Sequence, residues 1–450
     1  MEVWPQVESS LGILRKGFQS MMTAAIFIVL VGLIMIGLPI AVSMGLTAVI
    51  FFVVLGELDT LSMIPARMYS STTGFPLLAI PFFILVGNLM NTGGMTQRIF
   101  RLAQNMVGHI KGGLGHVNVV NSMIFAGMSG AAVADAAGIG MVELEAMTKA
   151  GFSRRFSAAV TAASSTIGPI IPPSIPFVIF GSLTGTSVGR LFLGGFIPGL
   201  IMGIAMMITV YIISDRRGYP REKRATLKEF FLSLVNAWSA LLCPVIIIGG
   251  ILIGIFTPTE ASVVAVLYAL LVTLVIYREI TLRDLPRVIW ESIEHTVRVL
   301  FIISAAGIFG WLLIHQRVPE AVIQGLMALS HNPWVILFIL NIILLVLGCF
   351  MEGISIMILT IPIFMPLINK IGIDPVHFGV VMTLNLMIGL LTPPVGMVLY
   401  AVSSVGKVPL WELASELKWY IVALMVSLAL ITYIPGLVTW VPNLIMGAAI

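Results

Sequence analysis

Asp135 and Glu352 are acids set in apolar surroundings, and an acid at membrane depth is a functional residue by default because its charge is costly to bury. Asp135 follows Gly127-Met128-Ser129-Gly130-Ala131-Ala132, and Glu352 lies in Met351-Glu352-Gly353. Downstream of each comes a proline pair, Pro172-Pro173 and Pro393-Pro394. A proline removes a backbone donor and interrupts a helix, so each pair leaves carbonyl oxygens without their usual partners. In lipid those oxygens must be satisfied. Protein neighbours or water can do so; two breaks facing two hairpin tips can also offer oxygen ligands to monovalent cations, as broken transporter helices do. Ser129 and Glu352 stand at the tips, where helix starts with free N–H groups favour an anion such as a substrate carboxylate. The small residues Gly127, Gly130, Ala131 and Ala132 also suit close helix packing, and Asp135 can equally serve as a structural acid bonded to nearby backbone. Ser164, Ser165, Ser355, Asn385 and Thr392 lie near the breaks or tips and suit either helix–helix hydrogen bonding or ligand contact. Gly130, Asp135, Ser174, Gly353, Ser355 and Asn385 are the candidate substrate contacts.

The elements that hold these residues are doubled. Setting Lys149 against Lys370, an offset of 221 residues, also aligns Gly127 with Gly348, Gly168 with Gly389, Pro172-Pro173 with Pro393-Pro394 and Gly185 with Gly406, without a gap. Paired, Gly/Pro-interrupted apolar segments in corresponding positions of two halves point to the binding site of a secondary transporter. The first hairpin exit is basic (Lys149, Arg154, Arg155) and the second near neutral (Lys370, Asp374, His377). Under the positive-inside rule this predicts exits on opposite membrane faces, hence inverted repeats.

Composition sets the class. The chain is 59% hydrophobic and 10% charged, with mean hydropathy +1.09, far from the roughly 25% charged of soluble domains. Charge-free runs at 17–56, 68–97, 156–189 and 419–450 are each long enough for one or two spanning helices, and they lack the alternation of a β-barrel. The expectation is an all-α polytopic membrane protein with two inverted repeats, each carrying a re-entrant helical hairpin and a Pro-broken helix. The net charge of +4 comes from short loops, above all Arg216, Arg217, Arg221, Lys223, Arg224 and Lys228, which mark a cytoplasmic face; a nucleic-acid partner is excluded. Cys243 and Cys349 sit in apolar segments without a metal or redox spacing. Glu2 and Glu8 precede Arg15 and Lys16, so the N-terminus does not read as a cleaved signal peptide.

Along the chain, 1–20 forms an N-terminal segment and 21–70 a helix pair interrupted at Pro39. Residues 71–213 hold an amphipathic arm over 93–115, a hairpin with its tip near Ser129, and a helix broken at 168–173. A basic cytoplasmic loop spans 214–236. Scaffold helices of the second repeat occupy 237–290, and 291–450 repeats arm, hairpin and broken helix, with the second tip at 351–353 and the second break at 391–394.

At these residues the chain resembles the large membrane subunit of tripartite ATP-independent periplasmic (TRAP) transporters. The resemblance rests on 127–135 (Gly-Met-Ser-Gly-Ala-Ala-Val-Ala-Asp), 167–176, Phe256-Thr257-Pro258-Thr259-Glu260-Ala261 and 390–396, in that order. It implies an elevator-type transporter in the bacterial inner membrane. The implied partners are a small membrane subunit, a periplasmic substrate-binding protein and a small organic anion, and Na+ is the coupling ion. It also implies one sodium site from Ser129 with backbone oxygens near Gly168, Ile171 and Pro173, and a second from Glu352, Thr392 and the backbone around Val395 and Gly396. Ala131 departs from the family's usual Ser. With no helical bundle ahead of Met21, the small subunit is expected to be a separate chain.

The function expected is therefore sodium-coupled secondary uptake of a small organic anion, a carboxylate, delivered by an extracytoplasmic binding protein; no enzyme activity is expected. A stand-alone sodium/dicarboxylate carrier is the alternative. A remoter one is a rhomboid-like intramembrane serine protease, since Gly127-Met128-Ser129-Gly130 fits GxSG, but no histidine lies where it would obviously act as the base such a serine needs. Walker A is absent, because Gly406-Lys407 is followed by Val408. The alignment pairs Ser129 with Phe350 and Ala131 with Glu352, which predicts two sodium sites of different affinity.

Overall fold

The computed structural model describes residues 21–447, and the N-terminal segment 1–20 expected from the sequence lies outside the described residues. Among the described residues there are helices and no strands. Seven helices among the described residues are long and apolar enough to cross a membrane: Phe75–Thr92, Val188–Arg217, Leu227–Leu252, Pro258–Ile276, Leu285–His315, Gly353–Lys370 and Leu410–Tyr433. Shorter apolar helices, including Met21–Met35 and Ile40–Val54 on either side of Pro39, complete the bundle.

Two compact units can be drawn. The smaller takes the N-terminal helices together with 297–336 and 358–373. It is held by Phe52 against Trp311 (ring centroids 4.9 Å apart), Arg67 over the same indole, and His315 bonded to Glu57 at 2.8 Å. The larger takes 75–296, 337–357 and 374–450, and it contains both hairpin tips and both breaks.

Local signals explain where the helices of the larger unit begin. Thr226 and Glu229 form a capping box, the Thr226 hydroxyl accepting from Glu229 N and the Glu229 carboxylate from Thr226 N. Thr257 and Glu260 repeat it, with Pro258 in the first turn. Each box satisfies orphan donors that a helix start otherwise leaves open. The first box shortens the basic loop: the sequence suggested 214–236, but Arg217 ends one helix and Leu227 starts the next. A second difference lies at 290/291, where the expected boundary falls inside the continuous helix Leu285–His315.

The arm helix Met95–Val107 buries Met95, Ile99, Leu102 and Ala103 on one side. On the other, Arg98 lies 2.8 Å from Glu279 and 3.6 Å over the Tyr277 ring, and Gln104 donates to Glu222 at 2.7 Å. Lys111, just beyond the arm, pairs with Asp215, whose hydrogen bond raises the affinity of the ammonium for its proton. The arm is thereby fastened to its own unit at several points.

Candidate cation and substrate site

The first hairpin runs Gly113–Ser129, turns through Gly130, and returns as Ala132–Ala137 and Ile139–Lys149. Gly130 has φ +61°, and a Cβ there would lie 2.9 Å from Pro173 O and 3.2 Å from Ile175 N. Only glycine fits such a position without strain. The tip is therefore seated directly on the first break. That break separates Arg154–Ser165 from Ile175–Thr184. Ser174 holds it together: its hydroxyl donates to Pro169 O at 2.5 Å and accepts from Phe177 N at 3.3 Å, capping the second segment. Among the described residues no N–H or hydroxyl donates to the carbonyls of Gly168, Ile171, Pro172 or Pro173. Ser174, fully buried, is occupied with closing the break, so the hydroxyl expected to meet substrate has a structural use.

Asp135 is 7% exposed. A Cβ on Gly168 would come within 2.6 Å of its Oδ2, so the glycine is what lets this carboxylate approach the break. The Ser129 side chain lies outside the described part of the structure, and only its backbone, the last residue of its helix, can be placed.

The second tip joins Pro333–Gly348 to Gly353–Lys370, and the second break separates Pro375–Gly389 from Met397–Gly406. Here the backbones themselves touch. A Cβ on Gly348 would lie 2.8 Å from Gly389 Cα, and one on Gly353 3.2 Å from Met387 Cε. Val395 N donates to Cys349 O at 3.0 Å, tying break to tip. Gly396, with φ +45°, brings its Cα close to two carbonyls, since a Cβ would meet Thr392 O at 3.0 Å and Leu390 O at 3.1 Å. Among the described residues no donor is bonded to the carbonyls of Thr392, Pro394 or Val395. The Thr392 hydroxyl donates to Ile388 O at 3.0 Å and keeps its lone pairs. Both Pro-Pro peptide bonds are cis.

Glu352 is half-buried, and its Oε2 accepts from Ser355 N at 3.0 Å and from the Ser355 hydroxyl at 3.2 Å. That makes it the cap of the helix Gly353–Lys370. The expectation that bare helix starts at both tips attract a substrate anion changes accordingly. At the second tip a carboxylate already meets the positive end of the dipole. At the first, the helix after the tip breaks at Gly138 after six residues and carries only a short dipole.

Asn385 bonds across to the hairpin helix: its Nδ2 donates to Asn341 Oδ1 at 2.7 Å and Asn341 O at 3.0 Å. Ser164 donates to Asn118 Oδ1 at 2.6 Å, and Asn118 donates to Thr161 at 2.8 Å. These are the helix–helix bonds left open as one reading from the sequence. Glu143 was not singled out, yet it is 1% exposed and accepts from Asn121 at 2.6 Å. A signal existed: Ile139, Glu143 and Met147 fall on one face of their helix and are all buried, whereas Glu145 is not.

Across the membrane-embedded core, then, two broken helices and two hairpin tips converge in pairs, which defines a multi-pass membrane carrier. A family model described as the DctM component of the tripartite ATP-independent periplasmic transporters matches residues 27–437, and the chain belongs to that family. It is 42% identical over 416 residues (92% of this chain, 97% of the relative) to the sialic acid TRAP transporter large permease protein SiaM of Vibrio cholerae. To the C4-dicarboxylate TRAP transporter large permease protein DctM of Rhodobacter capsulatus it is 36% identical, covering 93% and 98%. The isethionate TRAP transporter permease protein DctMQ of Oleidesulfovibrio alaskensis is 38% identical, over 90% of this chain and 64% of the relative. Among solved structures, the YdaH transporter of Alcanivorax borkumensis shares the fold, with TM-score 0.61 at 13% identity, covering 84% of this chain and 89% of that one. The chain is thus a multi-pass inner-membrane permease and one component of a tripartite secondary transport system; its family transports and does not catalyse. The GxSG match at Ser129 belongs to a hairpin tip of a carrier.

Proposed function

We propose that the chain couples the inward movement of sodium to uptake of a small organic anion, a carboxylate in the simplest case. The observation that supports this most directly is the pairing of each tip with a break whose carbonyls, at Gly168, Ile171 and Pro173 and again at Thr392 and Val395, accept from no donor among the described residues. Unpaired carbonyls at membrane depth are costly, and a monovalent cation is the ligand that several converging oxygens hold best. Glu352 and Asp135 supply negative charge beside these oxygens. Sodium at both tips would offset that charge and leave a net attraction for an anion at the same surface. The relatives named for sialic acid and C4-dicarboxylates carry carboxylates, and the one named for isethionate carries a sulfonate; a singly or doubly charged organic anion is common to all.

In this reading a separate small membrane subunit completes the scaffold, a periplasmic binding protein delivers the substrate, and the part carrying both tips moves as an elevator built on two inverted repeats. Proteoliposomes holding the chain with both partners test it. Uptake of the anion that the binding protein carries is expected to require an inward sodium gradient and to stop when that gradient is collapsed. Unchanged uptake without it would end the coupling claim, and uptake by the purified chain alone would favour a stand-alone carrier.

A further inference from the structure

Glu143 has no part in either tip or break. Its side chain is 1% exposed, and among the described residues its hydrogen bond is from Asn121 Nδ2 to Oε1 at 2.6 Å. Among the described residues no Lys, Arg or His pairs with it. Asn121 is itself fully buried, and its Oδ1, on the same amide carbon as the donor to Glu143, has no hydrogen-bond partner among the described residues. A buried carboxylate without a cation, beside a buried carbonyl without a donor, is an unbalanced arrangement.

The space around Glu143 says what would balance it. On one side is a small cavity, with about 10 Å³ of room for the centre of a water-sized sphere, shared with Ser122, Asp135, Thr161 and Ser165. That admits one water-sized particle. On the other side a cavity of about 240 Å³ opens between Glu143 and the arm helix, lined by Thr96, Gln97, Arg101 and Gln104. Asp135 in turn lines a third cavity, of about 40 Å³, with Asn88, Asn91 and His295. The two acids repel one another across the small cavity, and the other charged groups facing this path are Arg101 at its arm side and His295 at its far side. The polar side chains of the small cavity itself, Ser122, Asp135, Glu143, Thr161 and Ser165, offer only oxygens, a set suited to a hard monovalent ion or a proton and not to zinc or copper.

We propose that Glu143 holds a cation of its own, sodium or a proton, which enters from the arm-side cavity and sits between the Glu143 carboxylate and the oxygens of Asp135, Ser122, Thr161 and Ser165. This position lies beside the first break but uses none of its carbonyls. The proposal rests on the reading of the chain as a cation-coupled carrier, and it adds one coupling ion to the two tip sites.

The test is a count on the purified full-length chain in lipid nanodiscs, using radioactive sodium alone as the probe, together with the protons taken up on acidification. Glu143→Gln is expected to bind one sodium fewer per chain at saturation if sodium is the occupant, or to take up one proton fewer if a proton is. Unchanged counts of both would overturn the proposal. Should Glu143→Gln fail to fold, Asn121→Ala keeps the carboxylate and is expected to weaken the affected class about tenfold; an unchanged affinity there would overturn it equally. A wild-type chain that binds no sodium would instead remove the sodium-coupled reading, whereas normal wild-type binding left intact in both variants would remove only the Glu143 site.

Discussion

At the first break the Ser174 hydroxyl reaches back to Pro169 O, whereas at the residue aligned with it 221 positions later, Val395 donates its N–H across to Cys349 O of the neighbouring tip. The first interruption is thus closed by its own side chain, whereas the second is closed by Val398 N and Leu399 N donating back to Leu390 O at 3.2 and 3.3 Å and is tied in addition to its hairpin. Burial follows this division: Pro172 and Pro173 are buried, and Pro393 and Pro394 are exposed. The acids divide likewise. Asp135 sits a turn inside its hairpin and faces Gly168, while Glu352 stands at the tip and caps the helix that follows. The second break shares a backbone hydrogen bond with its tip, so a displacement of that tip would break it. At the first break the Ser174 hydroxyl makes the closing bond within the break itself.

The comparison can be broken first at the acids. Glu352→Gln and Ser129→Ala are each expected to raise the sodium concentration for half-maximal uptake, Glu352→Gln on the order of tenfold, equivalent to about 1.4 kcal/mol. The amide still accepts from Ser355 N, so the helix cap and the thermal midpoint should persist. Normal sodium dependence in both would show that the tips do not hold the ion. The glycines come next. Gly348→Ala forces a methyl onto the Gly389 backbone, an overpacking expected to cost about 1–3 kcal/mol. Gly127→Ala, aligned with it, meets Pro244 side-chain carbons at 3.0 and 3.3 Å and should cost clearly less. Denaturation midpoints of the two variants measure the difference, and equal losses would mean that both tips are packed alike. Smallest is Ser174→Ala, expected to lower stability by about 1 kcal/mol through loss of a cap with the sodium requirement unchanged. A shifted sodium requirement would place this hydroxyl in the ion site and erase the distinction between a break closed by its own side chain and one tied to its hairpin.

Much of this was legible in the chain because membranes restrict what a backbone can do. Paired prolines in apolar runs can only be breaks, so both breaks and both tips fall where the residues placed them. The motif Thr257-Pro258-Thr259-Glu260 was visible as a pattern and proves to be a helix cap. The start of the helix at Leu227 was missed because Thr226 and Glu229 lie in a basic stretch that reads as loop. Glu143 was missed for a different reason. Its partner Asn121 is 22 residues away, and the shared face of Ile139, Glu143 and Met147 was the one local hint that this acid turns into the protein.

By itself the sequence determined the all-helical membrane class, the doubling at 221 residues and the positions of Asp135 and Glu352, since hydropathy, proline chemistry and glycine spacing act over a few residues at a time. Only the tertiary structure decided that the Ser174 hydroxyl closes its own break and the Asn385 amide nitrogen bonds Asn341, that Glu352 caps its own helix, and that Glu143 and Asp135 share one cavity. Those outcomes depend on which oxygen meets which donor across helices far apart in the chain, and that is fixed by packing.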